Sequence, residues 1–381
     1  MHIAIVSGGR RPTDDAVPER LLAMAGALAA IGHRVTLTGR WEAALPAGYE
    51  LPPEVVIRPL DSPPTDGAGT EALLAMVPAM ADQLEHGWRA DPPEVAHAIG
   101  LDAGLAVLVA ARSVKNLFTV HERIAVLPDE GSLPASMAGS AHRLQSAVAR
   151  SADAVVARSP EEARVLRRLG ARHGRVMLLP QGVDTERFAP AGRHPPHEVA
   201  QLLCLDGGRS AASVGAAIRA AAEVPEAQLV VVGGRAGDTG PGAGAGAGTG
   251  AGSGSGADGE VRQVPEVPHE AVPALLRSSD ILVTAPQTDP SGTVALEAMA
   301  CAVPVVAGAV GALRSLVVDD VTGLLVPPDR PDLLAKAVRR LLDDPALRQA
   351  LGVAGLDRAR AEHSWPVVAG RLDRVYQGLH H

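Results

Sequence analysis

Cysteine is almost missing from this chain of 381 residues. Cys204 and Cys301 are the only two, too few for a disulfide framework or a cysteine-rich metal site. Their scarcity fits a reducing cytoplasm in which both are buried thiols. Positive charge is also in deficit: 35 Lys and Arg face 43 Asp and Glu, a net charge of −8. Phosphate backbones and anionic lipids both demand clustered cations, so a nucleic-acid or membrane-surface partner is not expected and a small-molecule ligand is. Long apolar runs are missing too. The run His2 to Val6 stops within two residues at the pair Gly8-Gly9, too short for a signal peptide or a span, which predicts a cytoplasmic chain without stable membrane insertion. There is no Walker phosphate loop and no complete Gly-x-Gly-x-x-Gly, which argues against simple ATPase and dehydrogenase chemistry. No His or carboxylate cluster has metal-ligand spacing, so neither a metal nor another cofactor is expected.

What is present is alternation. Residues 2 to 7 read as a buried strand, Glu19 to Ile31 carry helical apolar spacing, and Val35 to Thr38 resume as strand, which makes a βαβ unit. Strand-like runs recur at Val55 to Ile57, Val95 to Ala98, Leu117 to Val120, Ala154 to Ala157 and Val176 to Leu179. After the Pro- and Gly-rich segment Pro190 to Pro196, a second series runs through Leu202 to Leu205, Gln228 to Val232, Ile281 to Thr284, Val303 to Ala307 and Leu324 to Val326. Chains of this length exceed one core, and 46% apolar residues supply two. The expected class is α/β, with two doubly wound, Rossmann-like domains. The boundaries read as 1–190, 197–364 and a final helix over 365–381 that crosses back to the first domain, with Trp365 as its packing anchor. Within the second domain, 236–259 is nearly pure Gly, Ala and Ser, a composition that buries nothing and behaves as a flexible surface insertion. A basic helix over Glu161 to Arg175, with Arg164, Arg167, Arg168 and Arg172, reads as a solvated face.

In open α/β sheets ligands bind beyond the carboxyl ends of the strands. The richest such stretch is Thr284 to Gly311: a strand, a polar loop with Asp289, the small-residue turn Ser291-Gly292-Thr293, then a helix from about Val294. The amides of Ser291, Gly292, Thr293 and Val294 point out of a helix N-terminus and can bind a diphosphate. Glu297, one turn in, is placed to accept hydrogen bonds from ribose hydroxyls. Gly8 and Gly9 follow the first strand and serve either a tight turn or a phosphate contact.

This stretch resembles the retaining GT-B glycosyltransferases of family 4, the glycosyl transferases group 1, of actinobacterial type. Their signature is a pair of Glu residues at a fixed interval followed by Ala-Met-Ala-x-Gly-x-Pro-Val-Val. Asp289 and Glu297 occupy the acidic places, and Ala298 to Val306 match except at Ala302. The likeness continues through Val310 to Arg314 and Asp320 to Pro328. Asn116 to His121, Ser151 to Asp153 and Pro180 to Phe188 extend it to the first domain, and Ser364-Trp365 to the last segment.

The resemblance implies two domains facing across a cleft and a nucleotide-sugar donor, UDP-linked as the family-level expectation. It also implies transfer to an acceptor hydroxyl with retention, the departing phosphate serving as base; the acceptor is an unidentified small molecule, glycan or lipid. His121 is the residue implied at the donor sugar, with Asp289 reaching sugar hydroxyls, and Arg209, after Gly208, is implied as a diphosphate clamp. Base contacts are implied near Val264 to Pro268.

The pattern departs in three places. Val214 stands where the family has a second cationic clamp, Asp289 where it has Glu, and Val17-Pro18 where it has a glycine pair. Arg10, Arg11 and Arg219 are candidate substitutes for the missing cation. A catalytically impaired relative acting as a partner or regulatory subunit is therefore the alternative to an active transferase, with a nucleotide-sugar epimerase a third, weaker reading.

Overall fold

The computed structural model describes residues 1–8, 17–41, 45, 49–61, 70–122, 135–190, 199–205, 211–233, 261–289 and 291–380. Gly9, Arg10, Arg11, Gly208, Arg209 and the insertion 236–259 lie outside the described residues. The chain divides into two compact units, Met1–Gly182 with Trp365–His381, and Val183–Ser364.

The first unit carries seven strands: β1 (His2–Ser7), β2 (Arg34–Gly39), β3 (Val55–Pro59), β4 (Val95–Ile99), β5 (Phe118–Glu122), β6 (Ala154–Ala157) and β7 (Val176–Leu178). They form one sheet in the order β3-β2-β1-β4-β5-β6-β7, and every pairing is parallel. Parallel strands need covered faces on both sides, which is why β1 and β4 are almost wholly apolar. One face packs Ile3, Ile5, Val95, Ile99 and Val120 against the helix Glu19–Ala30 and the final helix Trp365–Gly378. The other packs Ala4, Val6, Ala96 and Ala98 against the helices Thr70–Ala90 and Leu101–Ala110. Trp365 is buried in the first of these layers. The helix expected over Glu161 to Arg175 is shorter, Pro160–Arg168: Gly170 takes φ 102° and breaks it, leaving a separate 3₁₀ turn at His173–Arg175.

The second unit carries β8 (Ala200–Leu205), β9 (Ala227–Val232), β10 (Val261–Val264), β11 (Ile281–Thr284), β12 (Val305–Gly308) and β13 (Leu324–Val326). Their order is β10-β9-β8-β11-β12-β13, again all parallel. β10 escapes sequence reading because it is a four-residue edge strand of mixed polarity, VRQV, without an apolar run. In both sheets β1 and β8 lie inside, flanked by β4 and β11 on one side and β2 and β9 on the other. The carboxyl ends of these strands are the topological switch points. Both cysteines are buried, and neither forms a disulfide among the described residues. No helix among the described residues is long and apolar enough to cross a membrane.

Candidate functional site

At the switch point of the second unit, β11 ends at Thr284 and the helix Thr293–Ala300 begins one residue earlier than expected. Gly292 precedes it in the left-handed region, φ 66°. The first intrahelical bond runs from Leu296 N to Gly292 O at 2.9 Å, so the N–H groups of Thr293, Val294 and Ala295 have no helical acceptor. Among the described residues no side chain caps this end, and Thr293 and Val294 are half-buried. Those amides are the anion-binding part of the turn.

The Ser291 and Gly292 amides are not free, which corrects the expectation for both. Asp289 Oδ1 accepts from Gly292 N at 2.6 Å and from Ser291 N at 2.9 Å. An Asp side chain is short enough to fold back onto amides two and three residues ahead. The shorter carboxylate therefore closes its own turn instead of reaching outward toward a sugar. Its carbonyl is fixed as well, accepting from Ala312 N at 2.8 Å. Gly311, at φ 48°, permits that approach, since a Cβ there would stand 2.1 Å from Asp289 O.

Glu297 is buried, 5% exposed, and its Oε1 accepts a 2.8 Å hydrogen bond from His269 Nε2. His269 opens the turn His269–Ala271, directly after the Val264 to Pro268 segment expected at the base. Sequence reasoning missed this partner, 28 residues away with no periodic relation to Glu297; only its adjacency to the base loop was a signal.

Val214 corrects the reading of the missing clamp. It is fully buried in the helix Ala211–Ala222, among Leu202, Cys204, Val283 and Val306. The position faces the core, so the loss is one of side-chain direction as well as of charge. Arg219 is exposed, but it lies roughly 12 Å along the helix axis from Ala211, far from that helix's N-terminal amides.

In the first unit the register aligns Ser7 with Ile99 and Ile99 with Glu122, so the ends of β1, β4 and β5 form one edge. Gly8 leaves β1 against the carboxylate of Asp102, in the first turn of the helix Leu101–Ala110; a Cβ on Gly8 would stand 1.9 Å from Asp102 Oδ2. That close approach requires glycine whatever binds nearby.

His121 is on β5 beside Ala98 of β4 and is wholly buried. Neither ring nitrogen has a hydrogen-bond partner among the described residues. Burial, with a smaller contribution from His97, pushes its pKa down to about 3. The ring is therefore neutral at physiological pH and shielded from solvent. Residues packed over the middle of a two-sided sheet lose solvent however polar they are.

The next residue, Glu122, is also wholly buried. Burial opposes its charged form, yet the Arg20 guanidinium, His97 and Arg158 together hold its carboxyl well below the usual carboxylate range. Arg20 donates to Glu122 Oε1. His97 Nε2 lies 3.6 Å from Glu122 Oε2, and His97 Nδ1 shares a 2.7 Å hydrogen bond with the Tyr376 hydroxyl of the final helix. Burial and the nearby Glu122 charge raise the Tyr376 pKa well above the phenol range. This chain of four groups, invisible in the sequence, ties two helices to the middle of β4 and the end of β5.

Comparison with known proteins places this arrangement. Residues 212–358 match the family Glycosyl transferases group 1 and residues 18–187 match Glycosyltransferase Family 4. The chain is 33% identical over 357 residues to a D-inositol 3-phosphate glycosyltransferase of Catenulispora acidiphila, covering 87% of this chain and 83% of that one. It is 30% identical over 378 residues to the Kribbella flavida protein of the same name, covering 92% and 87%. Among solved structures it superposes on a sucrose-phosphate synthase from Thermosynechococcus elongatus with a TM-score of 0.79, at 24% identity and 100% and 99% coverage. It superposes on Anabaena HepE in complex with UDP with a TM-score of 0.73, at 15% identity and 99% and 100% coverage. With both halves matched, two parallel α/β units and relatives matched over more than four fifths of either chain, the chain belongs to the group 1, family 4 glycosyltransferases of GT-B fold.

Proposed function

We propose that this glycosyltransferase moves a sugar from a UDP-linked donor to an acceptor hydroxyl with retention of configuration. The observation that carries the reading is the second-unit turn: uncapped Thr293, Val294 and Ala295 amides beside a buried Glu297 carboxylate. The amides suit the diphosphate, through their partial positive charge and free N–H groups, and the carboxylate suits the ribose diol. Arg209 is the cation assigned to the same diphosphate. In support, HepE, which shares the fold, has been solved with UDP, with UDP and glucose, and with UDP-glucose.

Asp289 contributes by shaping the turn. His121, buried and neutral at pH 7, is not assigned the role of base, because a group with a pKa of about 3 takes protons too weakly. The proton of the acceptor then passes to the departing phosphate oxygen, so that retention needs no protein nucleophile. Leaving-group charge is met by fixed dipoles, the most effective way to lower such a barrier. The relatives named for D-inositol 3-phosphate make a polyol phosphate the first acceptor to test.

The test is a thermal-shift panel with UDP, GDP, ADP and TDP, followed by UDP release from UDP-sugars with D-inositol 3-phosphate present. A ligand bound only by the folded chain raises the melting temperature with the logarithm of its concentration over Kd. A UDP-selective shift with acceptor-dependent release, and a product whose anomeric proton signal matches that of the donor, is the expected result. Millimolar nucleotide without any shift overturns the reading and favours the impaired relative.

A further inference from the structure

We propose that His269 is a positioning residue of the nucleotide site, acting through Glu297 on the ribose diol. The inference rests on the nucleotide-binding reading above and adds a residue to it. Glu297 is 5% exposed, and a carboxylate that deep needs a donor, or its desolvation goes uncompensated. The donor is His269 Nε2, 2.8 Å from Oε1. His269 itself is 43% exposed on its side chain, so the bond answers the need of Glu297 and not that of the imidazole.

The imidazole is held by its own surroundings. Its ring centroid lies 5.5 Å from that of Phe188, tilted 45°, and Phe188 is buried in the core of the second unit. Arg187 stands over the Phe188 ring at 5.7 Å, and Arg277 donates to the carbonyls of Arg187 and Ala189 at 3.5 and 3.4 Å. The stretch 187–189 thus packs against the His269 ring that bonds the Glu297 carboxylate.

The chemical consequence follows from the two oxygens of Glu297. With Oε1 held, the carboxylate cannot rotate about its last bond, and Oε2 keeps one direction, which a hydroxyl of a cis diol can meet without first ordering the side chain. Preorganisation of this kind raises affinity by removing an entropic cost. The ligand so selected is the ribose of a nucleoside diphosphate, in preference to the same nucleotide without its hydroxyls.

The experiment is calorimetric titration of the full chain, as wild type, His269→Ala and His269→Gln, with UDP and with 2′,3′-dideoxy-UDP. Loss of one charge-assisted hydrogen bond predicts that His269→Ala binds UDP about tenfold or more weakly. The dideoxy nucleotide, with no diol to position against, should bind wild type and His269→Ala equally. Gln, whose amide N–H reaches as far as imidazole Nε2, should recover most of the UDP affinity. Equal weakening of both nucleotides by His269→Ala would reduce the residue to packing and overturn the proposal, as would an unchanged UDP affinity. Wild type that binds neither nucleotide would instead sink the nucleotide reading itself.

Discussion

His121→Leu should flatten the acid side of the stability profile of the first unit. In the folded chain the His121 ring is wholly buried and its pKa falls from 6.5 to about 3, so it is neutral in the native state. The unfolded chain takes up a proton below about pH 6.5, and a state that binds protons is favoured as pH falls. The contribution is thus complete above pH 6.5 and is lost progressively as pH drops toward 3. At 1.36 kcal/mol per unit, the step from pH 7 to pH 5 costs about 2 kcal/mol.

His2, whose pKa is lowered chiefly by burial, adds a loss of the same sign, so the informative quantity is the difference between wild type and variant. Glu122 does not interfere: a depressed carboxylate pKa holds its stabilisation above about 4.5 and loses it only below. The assay is urea unfolding at pH 7 and pH 5 followed by tryptophan fluorescence. The chain has three tryptophans, and Trp41, Trp88 and Trp365 all belong to the first unit, so the signal reports that unit alone. Wild type should lose about 2 kcal/mol more than His121→Leu over this step. Equal losses would mean that the ring is not buried as a neutral group, and the argument would fail.

Two further outcomes concern the second unit. Val214→Lys, which would restore the charge that the family pattern carries, places an ammonium among Leu202, Cys204, Val283 and Val306. An uncompensated buried charge costs about 3 to 5 kcal/mol, so the variant should melt far below wild type by calorimetry. If Val214→Lys instead gave a stable protein with tighter UDP binding, that result would contradict the burial. Asp289→Ala removes the acceptor that holds Ser291 N and Gly292 N and should cost about 1 to 2 kcal/mol, while Asp289→Asn, which keeps an oxygen acceptor, should cost less. Equal melting temperatures for wild type and Asp289→Ala would remove the turn-closing role.

Particular residues mark how far sequence reading reached. The second-unit turn was legible because strand, small-residue turn and helix are local, and the amides of a helix N-terminus follow from chain geometry. Glu297 was legible for the same reason, being one turn into that helix. Asp289 was located but not understood: whether a carboxylate reaches out or folds back depends on backbone dihedrals over three residues, including Gly292 at φ 66°. Val214 and His121 were read from their places in a pattern, whereas burial on a particular face of a helix or a sheet decides what they can do.

Element order, the α/β class and the family follow from the residues in their order along the chain, because apolar periodicity and turn chemistry act over a few residues. Which polar groups meet was settled by the folded arrangement. His269 reaches Glu297 from 28 residues away, and Tyr376 reaches His97 from 279. Such pairs have no period or motif; they exist because burying apolar faces brings distant strand ends and helices together, and a polar group carried into that interior must find a partner or change its charge.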